Sequence, residues 1–438
     1  MATVLPFRGV RYNPETTPDL SAVVTQPYDR IGTELWDAYS RQHPHSFVHL
    51  ILNRARLDDA GGPYAQAAAL YRRWREQGVL TQDRAPAWYV QRQTWQSPEG
   101  RPITRTALLA ALELAPFEEG SVLPHERTLE APIADRLQLL RATGVHLEPI
   151  FLLYPDPGNC IDRLLEAAIG GRPPAAAAHE LHERDVLQEQ WVLNDPALIA
   201  AVQAAFQPLR GLVIADGHHR YQTALAYRHA MRQAHPKGGR LALHNFVLAA
   251  LVSMDDPGLR ILPTHRLVHS FPDLSVTELL AKAQNYFEVC SMPDRAGLMG
   301  ALPAAGQAHH AFGFVAPHQQ SLWVLKDAGV TDQLAPEHVP AWRELDVTIL
   351  HRLVLETMLG LTPESIARQE NLRYLRDPHA GYRALDDGQA QCLFLLNPTR
   401  LEQVRACAEA GERMPQKSTD FYPKMISGMV VLEGLDAQ

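Results

Sequence analysis

Residues 211–234 read GLVIADGHHRYQTALAYRHAMRQA, and this stretch decides the fold class. Leu212 to Ala215 form a short apolar run of strand length. Asp216 and Gly217 interrupt it, and Tyr221, Leu225 and Arg228 then follow on a helix. The reading is strand, tight turn, helix. Upstream, EPIFLLY (148–154) reads as a buried strand. Downstream, NFVLAALVSM (245–254) is short and rich in Val and Leu, as a central strand requires. Alternating helices and strands without internal repeats predict an α/β or α+β fold with a mixed sheet.

Working outward, PYDRI (27–31) precedes a helical ELWDAYSRQ, and Ala67, Leu70, Tyr71 and Trp74 mark a second helix. WYVQRQTW (88–95) and TALLAALEL (106–114) predict a hairpin around SPEGRP. LPHERTLEAPIADRLQLLRAT (123–143) is a loop leading into a helix, with Pro132 near its start. Residues 155–200 read as an Ala-rich helical excursion in which HELHER (179–184) is a solvated helical face. After Ser270 come a helix, a hairpin (HAFGFV and SLWVLK), a helical LDVTILHRLVLETML and a strand CLFLLN. A helix from Arg400 and a final strand ISGMVVLE close the chain. The expected division is an N-terminal region, 1–272, carrying DGHHR, and a C-terminal region, 273–438, contributing the KSTDFYPK loop, with one intertwined unit as the alternative.

Composition narrows the function. The chain has 438 residues, of which 46% are hydrophobic and 21% charged, so a core is affordable and a disordered chain is excluded. Lys plus Arg is 41 against 49 Asp plus Glu, a balance of −8. Such acidity argues against DNA or RNA as a partner. No secretory pattern opens the chain and no apolar run reaches the ~18 residues of a spanning helix, so we expect a cytoplasmic protein without a membrane partner. No P-loop, G-x-G-x-x-G, G-x-S-x-G or H-E-x-x-H motif occurs. Nothing in the sequence sets an oligomeric state.

The densest chemistry is the turn itself. A helix N-terminus presents unpaired N–H groups and the positive end of a dipole, which suits phosphate. Gly217 lets a ligand approach the backbone closely. His218, His219 and Arg220 add donors and charge within one turn. Asp216 is a favoured helix cap, a Mg²⁺ ligand or a proton acceptor. Lysine is rare, occurring at 237, 282, 326, 417 and 424, and two of the five share one segment. In that segment Lys417, Ser418, Thr419 and Lys424 suit phosphate contacts. His125, Glu126 and Arg127 in LPHERT, and Thr264, His265 and Arg266 in LPTHR, are supporting candidates. Asp29 in PYDRI is a second candidate acid that rests on no motif.

ADGHHRYQTAL resembles the signature of the domain of unknown function 1015 family. PYDRI, LPHERTL, DRLQLLRATG, LPTHRLV and MPQKSTDFYPKMISG resemble its other segments, in the same order. That resemblance implies no activity. Strand–DGHHR–helix also resembles the phosphate-binding box of the ParB/sulfiredoxin superfamily, which includes nucleotide-binding partition proteins, sulfiredoxins and kinases of free serine. This implies a mixed sheet with a ParB/sulfiredoxin-like strand-turn-helix phosphate site, with Asp216 and His219 in phosphate transfer. The turn holds no cysteine, so the sulfiredoxin nucleophile has no counterpart. No helix-turn-helix segment supports a DNA clamp. The expectation is a kinase using ATP or ADP with Mg²⁺ to phosphorylate a small-molecule hydroxyl, free serine being the suggested acceptor. A metal-dependent phosphoester hydrolase and a non-catalytic nucleotide-binding regulator are the alternatives.

Overall fold

The computed structural model describes residues 2–55, 61–97, 99–235, 239–272 and 274–435. Lys237, Pro98 in the SPEGRP turn and Asp273 at the expected domain boundary lie outside the described residues. Met1–Pro124, Thr128–Leu259 and Pro423–Gln438 form one compact unit, and His125–Arg127 with Arg260–Tyr422 form a second. The switch at Leu259 comes ahead of the expected boundary, and the last residues return to the first unit. Backbone pairing draws this line. Arg260 and Ile261 pair with Tyr422 and Phe421, whereas Val431 bridges Val10 and Ser427 bridges Thr25.

The first unit contains strands β1 (Val4–Leu5), β2 (Val10–Tyr12), β3 (Leu80–Gln82), β4 (Trp88–Gln96), β5 (Pro102–Glu113), β6 (Val122–Leu123), β7 (Ile150–Tyr154), β8 (Ala176–His179), β9 (Leu187–Leu193), β10 (Leu212–Asp216) and β11 (Phe246–Ser253). Its helices are α1 (Thr33–Gln42), α2 (Val48–Ile51), α3 (Gly62–Glu76), α4 (Glu130–Thr143), α5 (Cys160–Ile169), α6 (Pro196–Phe206) and α7 (His218–Ala234). The main sheet runs β6-β10-β7-β11-β5-β4-β9-β8, with β1 also on β5. β6 with β10 and β7 with β11 are parallel and the other pairs antiparallel, so the sheet is mixed, as expected. Every residue of β11 is buried, which explains its unbroken apolar sequence. β4 and β5 form the expected hairpin, yet Gln91, Gln93 and Arg105 are fully buried on it. On α3 and α4, Tyr71, Trp74 and Leu139 close a separate cluster with Val10, Phe47 and Val431.

Three expectations are corrected. The stretch 155–200 is not a helical excursion; β8 and β9 lie between α5 and α6. β9 alternates in burial, with Gln188 and Gln190 inside, so alanine content masked a period-two strand. HELHER is not a solvated helical face. Glu180 is fully buried, accepts from Gln26 Nε2 at 2.6 Å and from the Tyr39 hydroxyl, and takes the His182 and Glu183 amides. Its partners come from a distant stretch of chain that periodicity cannot see. ISGMVVLE forms isolated bridges rather than a strand, because Gly428 turns the backbone to φ 100° against Phe47.

The second unit contains β12 (Arg260–Ile261), β13 (His265–Val268), β14 (Phe287–Ser291), β15 (Ala311–Ala316), β16 (Gln319–Leu325), β17 (Leu372–Leu375), β18 (Cys392–Leu396) and β19 (Phe421–Tyr422). Its six-stranded sheet, β14-β16-β15-β18-β13-β17, is antiparallel throughout. Phe312, Phe314, Trp323 and Phe394 fill one side of it. The helical LDVTILHRLVLETML is α-helical over Asp346–Ile349 and π-helical over Leu350–Met358.

Candidate functional site

β10 ends in the first unit with a register shift. Ile214 pairs with Leu152 and Asp216 with Phe151, leaving Ala215 as the irregularity that re-aims Asp216. Gly217 follows at φ 94°, a left-handed conformation that strains L side chains. A Cβ there would also meet the Arg220 guanidinium at 3.1–3.3 Å. α7 starts at His218, and glycine gives its first turn no side-chain cap. The residue types therefore produce an N-terminus whose dipole is not offset by its own capping group.

Lys424 completes this corner. Its Nζ lies 3.1 Å from Asp216 Oδ2, and its side chain is almost wholly buried. Buried polar residues of the β4–β5 hairpin hold it there. Gln93 Nε2 donates to the Lys424 carbonyl at 2.8 Å, and Arg105 donates to the Pro423 carbonyl and to Gln93. Burial opposes charge on Asp216, but Lys424, Arg220 and Arg30 prevail and hold its carboxyl well below the usual range.

A second ring of groups surrounds Arg220. Its Nη1 donates to the Pro149 carbonyl at 2.5 Å, while its buried Nε has no hydrogen-bond partner. Burial works against the Arg220 charge, yet Glu148, Asp216, Asp29 and Tyr28 raise its pKa. Glu148 accepts from the Tyr28 amide at 3.0 Å and the Ser427 hydroxyl at 2.9 Å. Arg136 lies 3.9 Å from Glu148 and 4.3 Å above the Tyr28 ring. Burial pushes the Tyr28 phenol up to about 12. His219 Nε2 accepts from the Leu129 amide at 3.0 Å, so its ring proton sits on Nδ1.

The corner is open to solvent. Asp216 retains 19% side-chain exposure, Gly217 and His219 are half-buried, and Asp29 and Arg30 are exposed. A cavity of about 50 Å³ beside Arg220 also touches Arg136 and Glu148. Arg136 lines a further cavity of about 300 Å³, bounded by Ile31, Trp36, Tyr64 and Asp135.

The first unit thus brings together Asp29, Asp216, Gly217, His218, His219, Arg220 and Lys424 from the expected set. His125, Glu126, Arg127, Thr264, His265, Arg266, Lys417, Ser418 and Thr419 belong to the second unit. There His125 Nε2 meets Thr419 Oγ1 at 2.9 Å. Arg266 donates to the carbonyls of Thr264, Gln416 and Lys417 and to His351 Nε2. His265 Nδ1 accepts from the Leu396 amide at 3.2 Å, and burial holds its pKa near about 4. Ser418 donates to the Pro415 carbonyl at 2.6 Å, and Lys417 is exposed. Sequence reasoning missed Glu148, Tyr28, Arg30 and Arg136. The available signal was a lone carboxylate between Leu147 and Pro149, at the entrance to an apolar strand.

Residues 4–348 match a family model described as protein of unknown function (DUF1015). No curated protein matches the chain. Among solved structures, a conserved hypothetical protein from Pyrococcus furiosus is 14% identical, covering 75% of this chain and 95% of that one, with a TM-score of 0.35. A mutant free serine kinase in complex with AMP is 11% identical, covering 72% and 87%, with a TM-score of 0.34. SbnI with a C-terminal truncation, from Staphylococcus aureus, is 12% identical, covering 74% and 87%, with a TM-score of 0.35. Likeness at this level carries no functional weight. Among the described residues no helix is long and apolar enough to cross a membrane.

Proposed function

The chain belongs to the DUF1015 family, and from the geometry of the Asp216–Arg220 corner we propose that it binds the phosphates of a nucleotide and transfers one to a small-molecule hydroxyl. One observation carries this reading. The N-terminus of α7 opens on a left-handed backbone that favours glycine, with the spare Nε of Arg220 and the ammonium of Lys424 beside it. Backbone amides, a guanidinium and an ammonium converging on one open corner are what a polyphosphate requires.

The roles divide by charge state. Asp216 is too strongly acidic for a general base, whose pKa should lie near the working pH. We assign it to holding Lys424. His219, with its proton on Nδ1, donates toward a phosphate oxygen. Asp29, exposed and within the electrostatic reach of Arg220, takes the acceptor proton. In the transfer, the bond from the terminal phosphorus to the nucleotide oxygen breaks and a bond to the acceptor oxygen forms. The hydroxyl proton passes to Asp29, and Lys424 and Arg220 balance the charge of the transferred group. The cavity bounded by Trp36 and Arg136 offers room for the organic part of a ligand.

The Mg²⁺ expected on Asp216 fits this donor set poorly. One carboxylate already faces Lys424, Arg220 and Arg30, which favours an anion over a resident cation. Among the described residues no group of three His, Cys, Asp or Glu side chains is placed to hold a metal ion. The test is a thermal-shift screen with ATP, ADP, AMP and phosphate, followed by labelled-phosphate transfer to free serine and other alcohols. We expect a nucleotide to add a few kcal/mol of apparent stability at moderate excess, and Lys424→Met to reduce transfer at least about 100-fold. Nucleotide binding without transfer would leave the regulator reading. No stabilisation by any nucleotide would overturn both.

A further inference from the structure

The second unit holds a cavity of about 210 Å³ lined by polar side chains, some of whose donors make no hydrogen bond. One wall is the helical stretch 346–358, which passes from α- to π-helical geometry at Leu350. A π-helix is rare, occurs mostly as a single-turn bulge and is frequent at functional sites. This one runs for nine residues and brings His351, Arg352 and Glu356 to the cavity.

Three donors there lack partners. Thr348 is 2% exposed, and its hydroxyl makes no hydrogen bond. A buried hydroxyl left so is destabilising, so such groups ordinarily find a partner. His351 Nε2 accepts from Arg266 Nε at 3.2 Å, which puts the ring proton on Nδ1. Burial, then Arg266 and Arg352, keep that imidazole neutral. Among the described residues no acceptor meets Nδ1. Arg127, from the LPHERT segment, lines the cavity without an ion pair or hydrogen bond among the described residues.

Charge has the same sign. Arg127, Arg352 and Arg413 line the space, against Glu356, which lies 3.0 Å from Arg352. The remaining wall is flat and apolar. Trp342 stacks on His338 with ring centroids 3.7 Å apart, and Ile366, Ala367 and Pro415 continue the surface.

We infer that this cavity binds a small organic oxyanion, a carboxylate or phosphate monoester with an apolar body. The oxyanion meets Arg127 and the Thr348 and His351 donors, and the body lies against Trp342 and Ile366. Guanidinium recognises both headgroups through paired N–H donors. This site is independent of the Asp216 corner.

Calorimetric titration of the full chain with benzoate, phenyl phosphate and neutral benzyl alcohol tests the inference. We expect saturable binding of at least one of the two anions, whichever headgroup is preferred, and none of the alcohol. Arg127→Ala should weaken the bound anion about tenfold and Thr348→Val about fivefold, with unchanged denaturation midpoints for the exposed arginine. Arg220→Ala should leave this affinity intact. The inference fails if neither anion saturates, if benzyl alcohol binds equally well, or if Arg220→Ala removes the binding while Arg127→Ala does not.

Discussion

Arg220 and Arg266 each follow a histidine, and each sinks a guanidinium into its unit. Their surroundings are opposite. Arg220 sits among carboxylates, Glu148, Asp216 and Asp29, which raise its pKa in spite of burial, and its Nε has no partner. Around Arg266 burial and the Tyr374 ring, rather than carboxylates, set the charge balance. Burial lowers its pKa to about 10, and it spends its donors on three carbonyls and His351 beneath the Tyr374 ring. A buried arginine with acidic neighbours and a spare donor can exchange contacts with an anionic guest. One saturated by carbonyls fastens the loop that bears them.

The largest way to break that contrast is Arg266→Met. The carbonyls of Thr264, Gln416 and Lys417 would lose their donor, and denaturant unfolding should register a loss of about 4 kcal/mol. Nucleotide stabilisation of the surviving fold should persist; if it vanished while stability held, the two roles would be reversed.

Acid sharpens the contrast. His265 in the fold titrates near about 4, below its unfolded value of about 6.5. Between those values the unfolded chain binds more protons, so stability is complete above pH ~6.5 and falls toward pH ~4, by about 3 kcal/mol. His265→Asn, which keeps an acceptor for the Leu396 amide, should flatten this slope in denaturation midpoints taken at several pH values. Beside Arg220 the window lies lower. Asp216 is depressed, so its contribution is present above the unfolded carboxylate value of ~3.9 and is lost as pH falls below it.

Smaller changes address the first unit alone. Arg220→Ala should weaken nucleotide affinity about 30-fold, read by titration calorimetry. An unchanged affinity would make Arg220 another fastener. Gly217→Ala should cost about 1 kcal/mol in stability, because the backbone must keep φ near 94° and the new methyl crowds the guanidinium.

The strand–turn–helix of 211–234 was legible because its apolar run, its glycine and its helical spacing are contiguous. Lys424 was legible only as a retained lysine. Its pairing with Asp216 depends on Gln93 and Arg105, whose burial within a hairpin no local pattern announces. Glu180 was misread for the same reason, since Tyr39 and Gln26 satisfy it from far away in sequence. The LPTHR segment looked like site chemistry because Thr, His and Arg carry no mark separating a loop clamp from a ligand clamp. Only their partners do.

The return of the chain to its first unit at Pro423 has a consequence for biosynthesis. A nascent polypeptide displays the glycine turn and its guanidinium long before the ammonium opposite Asp216 has been translated. The ion pair is thereby reserved for molecules whose second unit has already been made, and a prematurely terminated product carries Asp216 without its counter-charge.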